Sequence, residues 1–165
     1  MITASRELMP VIQAALGRGQ NVRLTVNGAS MLPFIHDGDT VELEPALSPP
    51  KPGDLVLTRT SGERYVLHRV TRIDGGKFWL RGDAQYRCEG PISFSNIVGR
   101  VIVSERAGRS RAHDRGVWRL AGLIWNRGIP WTLWLLRLVI RTRQIGGRVL
   151  RRMHIREVTS KNGAE

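Results

Sequence analysis

A serine carried out on a glycine turn is a natural place to look for chemistry, and Ser30 is set that way. In VNGASMLPFIHDGDTVEL, residues 26–43, an apolar strand runs into a Gly-Ala-Ser bend where Gly28 permits an unusual backbone angle. Ser30 then presents its hydroxyl with its own amide close by. Attack on a carbonyl needs both parts: an oxygen able to advance, and an N–H to receive the oxyanion. Taken alone, the feature is an ordinary turn serine. The other reactive side chain, Cys88, is the only cysteine, so it excludes an internal disulfide, and no Cys/His set stands at zinc-ligand spacing. Nothing near it has the pattern of a cysteine nucleophile. A lone histidine on a strand is most often structural, and that is the reading for His36, His113 and His154.

The elements that must hold Ser30 are mostly strands. From Asn21 onward the chain reads as alternating or short apolar runs: VRLTV, DTVELE, DLVLTRT, RYVLHRV, KFWLR and IVGRVIV. Turn signals separate them at HDGD, SPPKPG, SG at 61–62, DGG at 74–76 and EGP at 89–91. This pattern predicts a mainly β fold, a compact antiparallel domain over about residues 20–104. A short amphipathic helix precedes it, with Leu8, Val11, Ile12 and Leu16 at helical spacing. Residues 1–104 are thus expected to form one domain, 105–116 a basic linker and 117–165 a helical, hydrophobic-basic tail.

Charge divides the chain at the same place. Residues 1–99 hold 11 Lys/Arg against 10 Asp/Glu, whereas residues 100–165 hold 15 against 4, a balance of +11 within the total of +12. A basic tail suits anionic lipid, nucleic acid or an acidic partner, and charge alone does not choose. The tail sequence GVWRLAGLIWNRGIPWTLWLLRLVIRTRQIGGRVLRRM carries four of the five tryptophans. Arg119, Arg127, Arg137 and Pro130 interrupt it, and its longest uncharged stretch, Gly128 to Leu136, is too short to span a bilayer. Tryptophan and arginine among leucines suit a membrane interface, so residues 117–156 are expected to bind an anionic membrane surface. Packing on the domain is the plainer alternative, and nucleic acid is not expected. The first 20 residues show neither a signal peptide nor an N-terminal span.

Five short boxes, GASMLP, HDGD, PGDLV, YVLHRV and RGDAQ, resemble in order and separation those of the S24/S26 serine peptidases. That group includes signal peptidases and the self-cleaving LexA-type repressors. The resemblance covers about residues 20–103 and implies a LexA/signal-peptidase-like β fold with Ser30 as nucleophile. Pro33 is similar to the signal-peptidase form of the box, while Gly28 is similar to the LexA form. Many signal peptidases place a serine hydroxyl at the position of Gly28, so the oxyanion hole here falls to backbone N–H groups, those of Ser30 and Met31. The base position carries lysine in bacterial signal peptidases and LexA. Here it is His68, in the His-Arg-Val context of endoplasmic-reticulum-type enzymes, and none of the three lysines (Lys51, Lys77, Lys161) fits the box. An imidazole titrates near neutrality without the desolvation a lysine base requires.

A histidine base gains from an acid that fixes its tautomer. Asp83 and Glu89 are the candidates: the resemblance puts the acid six residues after Asp83, at Glu89, where the family has aspartate, and Gln85 stands where it has asparagine. The alternative reading of Asp83 is a turn residue, as for Asp39 and Asp54. The implied activity is a serine endopeptidase that cleaves a signal peptide or precursor through an acyl-enzyme. Its polypeptide substrate would be bound extended, with small residues before the cut and without metal or organic cofactor. The implied location is membrane-associated, with the tail as a peripheral or C-terminal anchor. A catalytically idle binding module of the same fold and a LexA-like self-cleaving regulator are the rival readings. Residues 1–20 are too short for a helix-turn-helix, and intact Ser30 and His68 speak against idleness.

Overall fold

A computed structural model describes residues 8–60 and 64–127. Helix α1 (Met9–Gly17) is followed by β1 (Val22–Thr25), β2 (Thr40–Pro45), β3 (Leu55–Arg59), β4 (Tyr65–Asp74), β5 (Lys77–Arg81) and β6 (Glu89–Ile92). A single 3-10 turn (Phe94–Asn96) leads to β7 (Ile97–Arg106), β8 (Arg109–Ala112) and α2 (Gly116–Arg127). The eight strands form one antiparallel sheet in the order β1-β2-β7-β3-β4-β5-β6, with β8 added to β7. The mainly β architecture expected from the turn spacing is the one observed.

Side-chain alternation distributes the apolar residues over two faces. Leu55, Leu57 and Leu67 join Met31, Phe34, Ile35, Val41 and Leu43 in the larger core, which α1 covers with Met9, Ile12 and Leu16. Val56, Val70, Phe78, Leu80, Ile92 and Ile97 form a second core on the opposite face. Strand β3 is therefore buried from Leu55 through Thr58 and apolar from Leu55 to Leu57, as a strand covered on both sides requires. The helix is turned from its expected orientation. Leu8 and Val11 are exposed, and Met9 takes the inward place. Pro10 in the first turn suits the start of the helix, and Met9, Ile12 and Leu16 are its buried residues.

The segment expected to be a linker is different. Residues 109–112 form β8, paired residue by residue with β7 from Arg106↔Arg109 to Val103↔Ala112. Ala107 and Gly108, both at positive φ, make the two-residue turn. His113 closes the strand: its N–H bonds Ile102 O at 2.8 Å, and its Nε2 lies 2.7 Å from Ser104 Oγ. The polar composition of RSRA reflects an edge strand facing solvent, which tolerates arginine where a central strand does not.

Candidate active site

The loop after β1 presents Ser30. Gly28, at φ +108°, turns the chain, and its N–H is held by Asp37 Oδ1 at 2.8 Å. Met31 is buried, and its carbonyl accepts from Phe34 and Ile35, so the residues after Ser30 are wound into the larger core. Ser30 itself is half-buried. Its carbonyl accepts the Ala84 N–H at 2.9 Å. Glycine is required at position 82, since a Cβ there would stand 2.6 Å from the same carbonyl. The serine loop and the Gly82–Gln85 turn are thus docked backbone to backbone.

On β4, alternation sends two adjacent polar residues to opposite faces. His68 lies opposite Val56, on the side of the second core. Arg69 lies opposite Leu55 and Arg81, on the side of the larger core. His68 is 2% exposed, and burial pushes its imidazole down to about 4, so it is neutral at neutral pH. Its Nδ1 lies 3.5 Å from Glu89 Oε2, and neither atom has a hydrogen-bond partner among the described residues. Glu89, the first residue of β6, is placed there by its pairing with Leu80.

Arg69 and Asp83 are fully buried and face each other through a two-pronged ion pair, Nε–Oδ1 at 2.8 Å and Nη2–Oδ2 at 2.6 Å. Two short parallel bonds are the geometry of a carboxylate on a guanidinium. Burial raises the pKa of Asp83, and the hydrogen bonds and charge of Arg69 oppose that rise. Arg69 also donates to Gly53 O at 2.9 Å and lies 5.1 Å over the Phe34 ring. Both earlier readings of Asp83 need correction. Its carboxylate is on Arg69, neither on His68 nor on local amides, because β4's pleat turns His68 away from it. Asp39 and Asp54 are turn residues as expected, accepting from His36 N and Lys51 N at 2.8 Å each.

Sequence reasoning passed over Arg69, although a signal was present. An arginine between two inward positions of a central strand has no access to water and needs a buried carboxylate. It also missed α2. Trp125, expected at head-group depth in a membrane, instead sets its ring edge-on to Phe34, with centroids 5.8 Å apart, and donates Nε1–H to Asp83 O at 2.8 Å. Trp118 lies under the Arg111 guanidinium. The outward face of the same helix carries Val117, Leu120 and Ile124, which are 77%, 58% and 64% exposed. No helix among the described residues is long and apolar enough to cross a membrane. Trp131, Trp134 and the rest of the tail lie outside the described residues.

A sheet of this topology, with a serine loop docked on the turn after β5 and a buried histidine on β4, agrees with the family comparison. Residues 2–102 match the Peptidase S24-like family, and the chain belongs to it. The fold is therefore that of the S24-like serine peptidases and LexA-type proteins. Comparison with curated proteins returns no match.

Proposed function

We propose that this chain is a serine endopeptidase that cleaves a signal peptide or precursor polypeptide, with Ser30 as nucleophile and His68 as general base. The observation that supports the reading is a buried, neutral histidine on β4 whose Nδ1 faces Glu89, in a chain whose serine loop docks on the Gly82–Gln85 turn. Closing of Glu89 Oε2 from 3.5 Å to hydrogen-bonding distance would fix the tautomer with the proton on Nδ1, leaving Nε2 to accept a proton. As Ser30 Oγ attacks the peptide carbonyl, its proton passes to Nε2. The resulting imidazolium is stabilised by Glu89, and the N–H groups of Ser30 and Met31 receive the oxyanion. The imidazolium then protonates the departing amine, which leaves an ester on Ser30. Water, deprotonated by the same imidazole, hydrolyses it.

The polypeptide would lie extended along a strand edge, held by main-chain bonds. Strand β6, which carries Glu89, ends the sheet on that side. Beside it runs a groove of about 470 Å³ bordered by Arg59, Arg64, Val66, Cys88, Glu89 and Asn96. The tail beyond Gly116 would hold the enzyme at an anionic membrane surface, and the exposed Val117, Leu120 and Ile124 support that role. The test is cleavage of a peptide library, with the acyl-enzyme trapped and weighed. Ser30→Ala should abolish both the cleavage and the mass adduct while leaving the fold intact. An adduct or cleavage that survives Ser30→Ala would overturn the assignment.

A further inference from the structure

The family match ends at residue 102, yet the structure continues for another helix over the same site. Helix α2 touches the site at four points. Trp125 bonds the carbonyl of Asp83. Gly122 lies against the Arg69 guanidinium so closely that a Cβ there would overlap it. Leu123 packs on Gly53, whose carbonyl Arg69 also holds. Arg81, the residue before Gly82, donates from Nη2 to both Asn126 O and Asn126 Oδ1 at 2.7 Å. The helix therefore grips the end of β5 and the turn that follows it.

One peptide group joins this grip to the serine loop. The carbonyl of Asp83 and the N–H of Ala84 belong to the same peptide plane. Trp125 holds that plane by its C=O at 2.8 Å, and the carbonyl of Ser30 holds it by its N–H at 2.9 Å. A donor on the C=O polarises the peptide and strengthens its N–H as a donor in turn. The bond also fixes the plane's tilt. We infer that Trp125 is a positioning residue for the peptidase reaction. Through the Asp83–Ala84 peptide it sets the backbone of Ser30, and thus the direction of the nucleophile and of the oxyanion-binding amide. Gly122 serves the same end by leaving room for Arg69 to reach Asp83. The inference rests on the peptidase reading for its catalytic part, whereas the link from Trp125 to Ser30 stands on geometry alone.

The experiment uses the full chain with Trp125→Phe, which keeps a ring against Phe34 and removes only the indole N–H. Two readouts separate the two claims. Amide hydrogen exchange at Ala84 should speed up by about tenfold, as expected for a buried bond that has lost its supporting partner, while amides of β3 remain as in the parent. In peptide cleavage, kcat should fall about tenfold with KM within about twofold, since positioning acts on the reacting atoms rather than on substrate binding. Gly122→Ala, which displaces Arg69 instead, should reproduce both effects and serves if the tryptophan variant folds poorly. Unchanged Ala84 exchange, or a rise in KM at constant kcat, would overturn the inference. Faster exchange in a chain whose parent cleaves no peptide would reject the peptidase reading and leave the Trp125–Ser30 link standing.

Discussion

Asp83→Asn tests the ion pair at the centre of this site. Arg69 is wholly buried, with Asp83 as its only charged partner among the described residues and further contacts to Gly53 O and Phe34. An asparagine side chain leaves one oxygen for Nε and turns an N–H₂ toward Nη2, so one of the two bonds is lost and donor meets donor. The guanidinium then keeps its charge in a dry site without a counter-ion. Breaking a buried pair from one side costs about 3–5 kcal/mol, and the retained oxygen puts the expected value near the lower end, about 3 kcal/mol. For a domain of this size that lowers Tm by roughly 10 °C. Arg69→Met with Asp83→Leu removes both charges together. It should be less destabilised than Asp83→Asn, because no unpaired charge remains. Urea unfolding of the parent, Asp83→Asn, Arg69→Met, Asp83→Leu and the double variant measures all the terms. A cost below about 1 kcal/mol for Asp83→Asn, or a double variant less stable than either single one, would refute the reasoning.

Four further outcomes are expected. Glu89→Gln should keep the parent's Tm and lower kcat, and His68→Ala should cut kcat by several orders of magnitude; activity within about tenfold of the parent in His68→Ala, roughly 1.4 kcal/mol of barrier, is too little for a general base. His68 and His113 are both depressed by burial to about 4, so the unfolded chain binds more protons between pH 6.5 and 4. Stability should therefore be full above pH 6.5 and fall as pH drops through that window, by up to about 3 kcal/mol per histidine; a urea midpoint that stays flat from pH 7 to 4.5 contradicts it. The full chain should float with anionic liposomes, and a version ending at Arg115 should not; if the full chain stays soluble with such liposomes, the membrane role is wrong.

The parts legible in the sequence are those written in local pattern. The NGAS bend, the uninterrupted LVLT run and the tight DGG turn each specify their own geometry from a few residues, and the structure has them. What was hidden depends on partners far apart in the chain. The β7–β8 turn uses Ala107 at φ +48°, where a glycine or asparagine would have announced it. Strand β8 has no apolar alternation because neither of its faces is core. Arg69 and Asp83 are 14 residues apart, and only β4's pleat together with the Gly82 turn makes them partners. Trp125 was grouped with its tryptophan neighbours by composition, yet its N–H finds a carbonyl 42 residues earlier. His68 and Glu89 were approached through the family boxes, and their 3.5 Å separation required the pairing of β5 with β6.

The late position of α2 in the chain has a consequence during synthesis. Asp83 emerges 42 residues before Trp125. At about 5–20 residues per second, roughly 2–8 s separate the two. A sheet that gathered its strands in that interval would leave Arg69 open to water where Gly122 will sit. A newly made chain whose sheet forms before Trp125 emerges would hold a hydrated form of its own charged centre until the helix packs over that guanidinium.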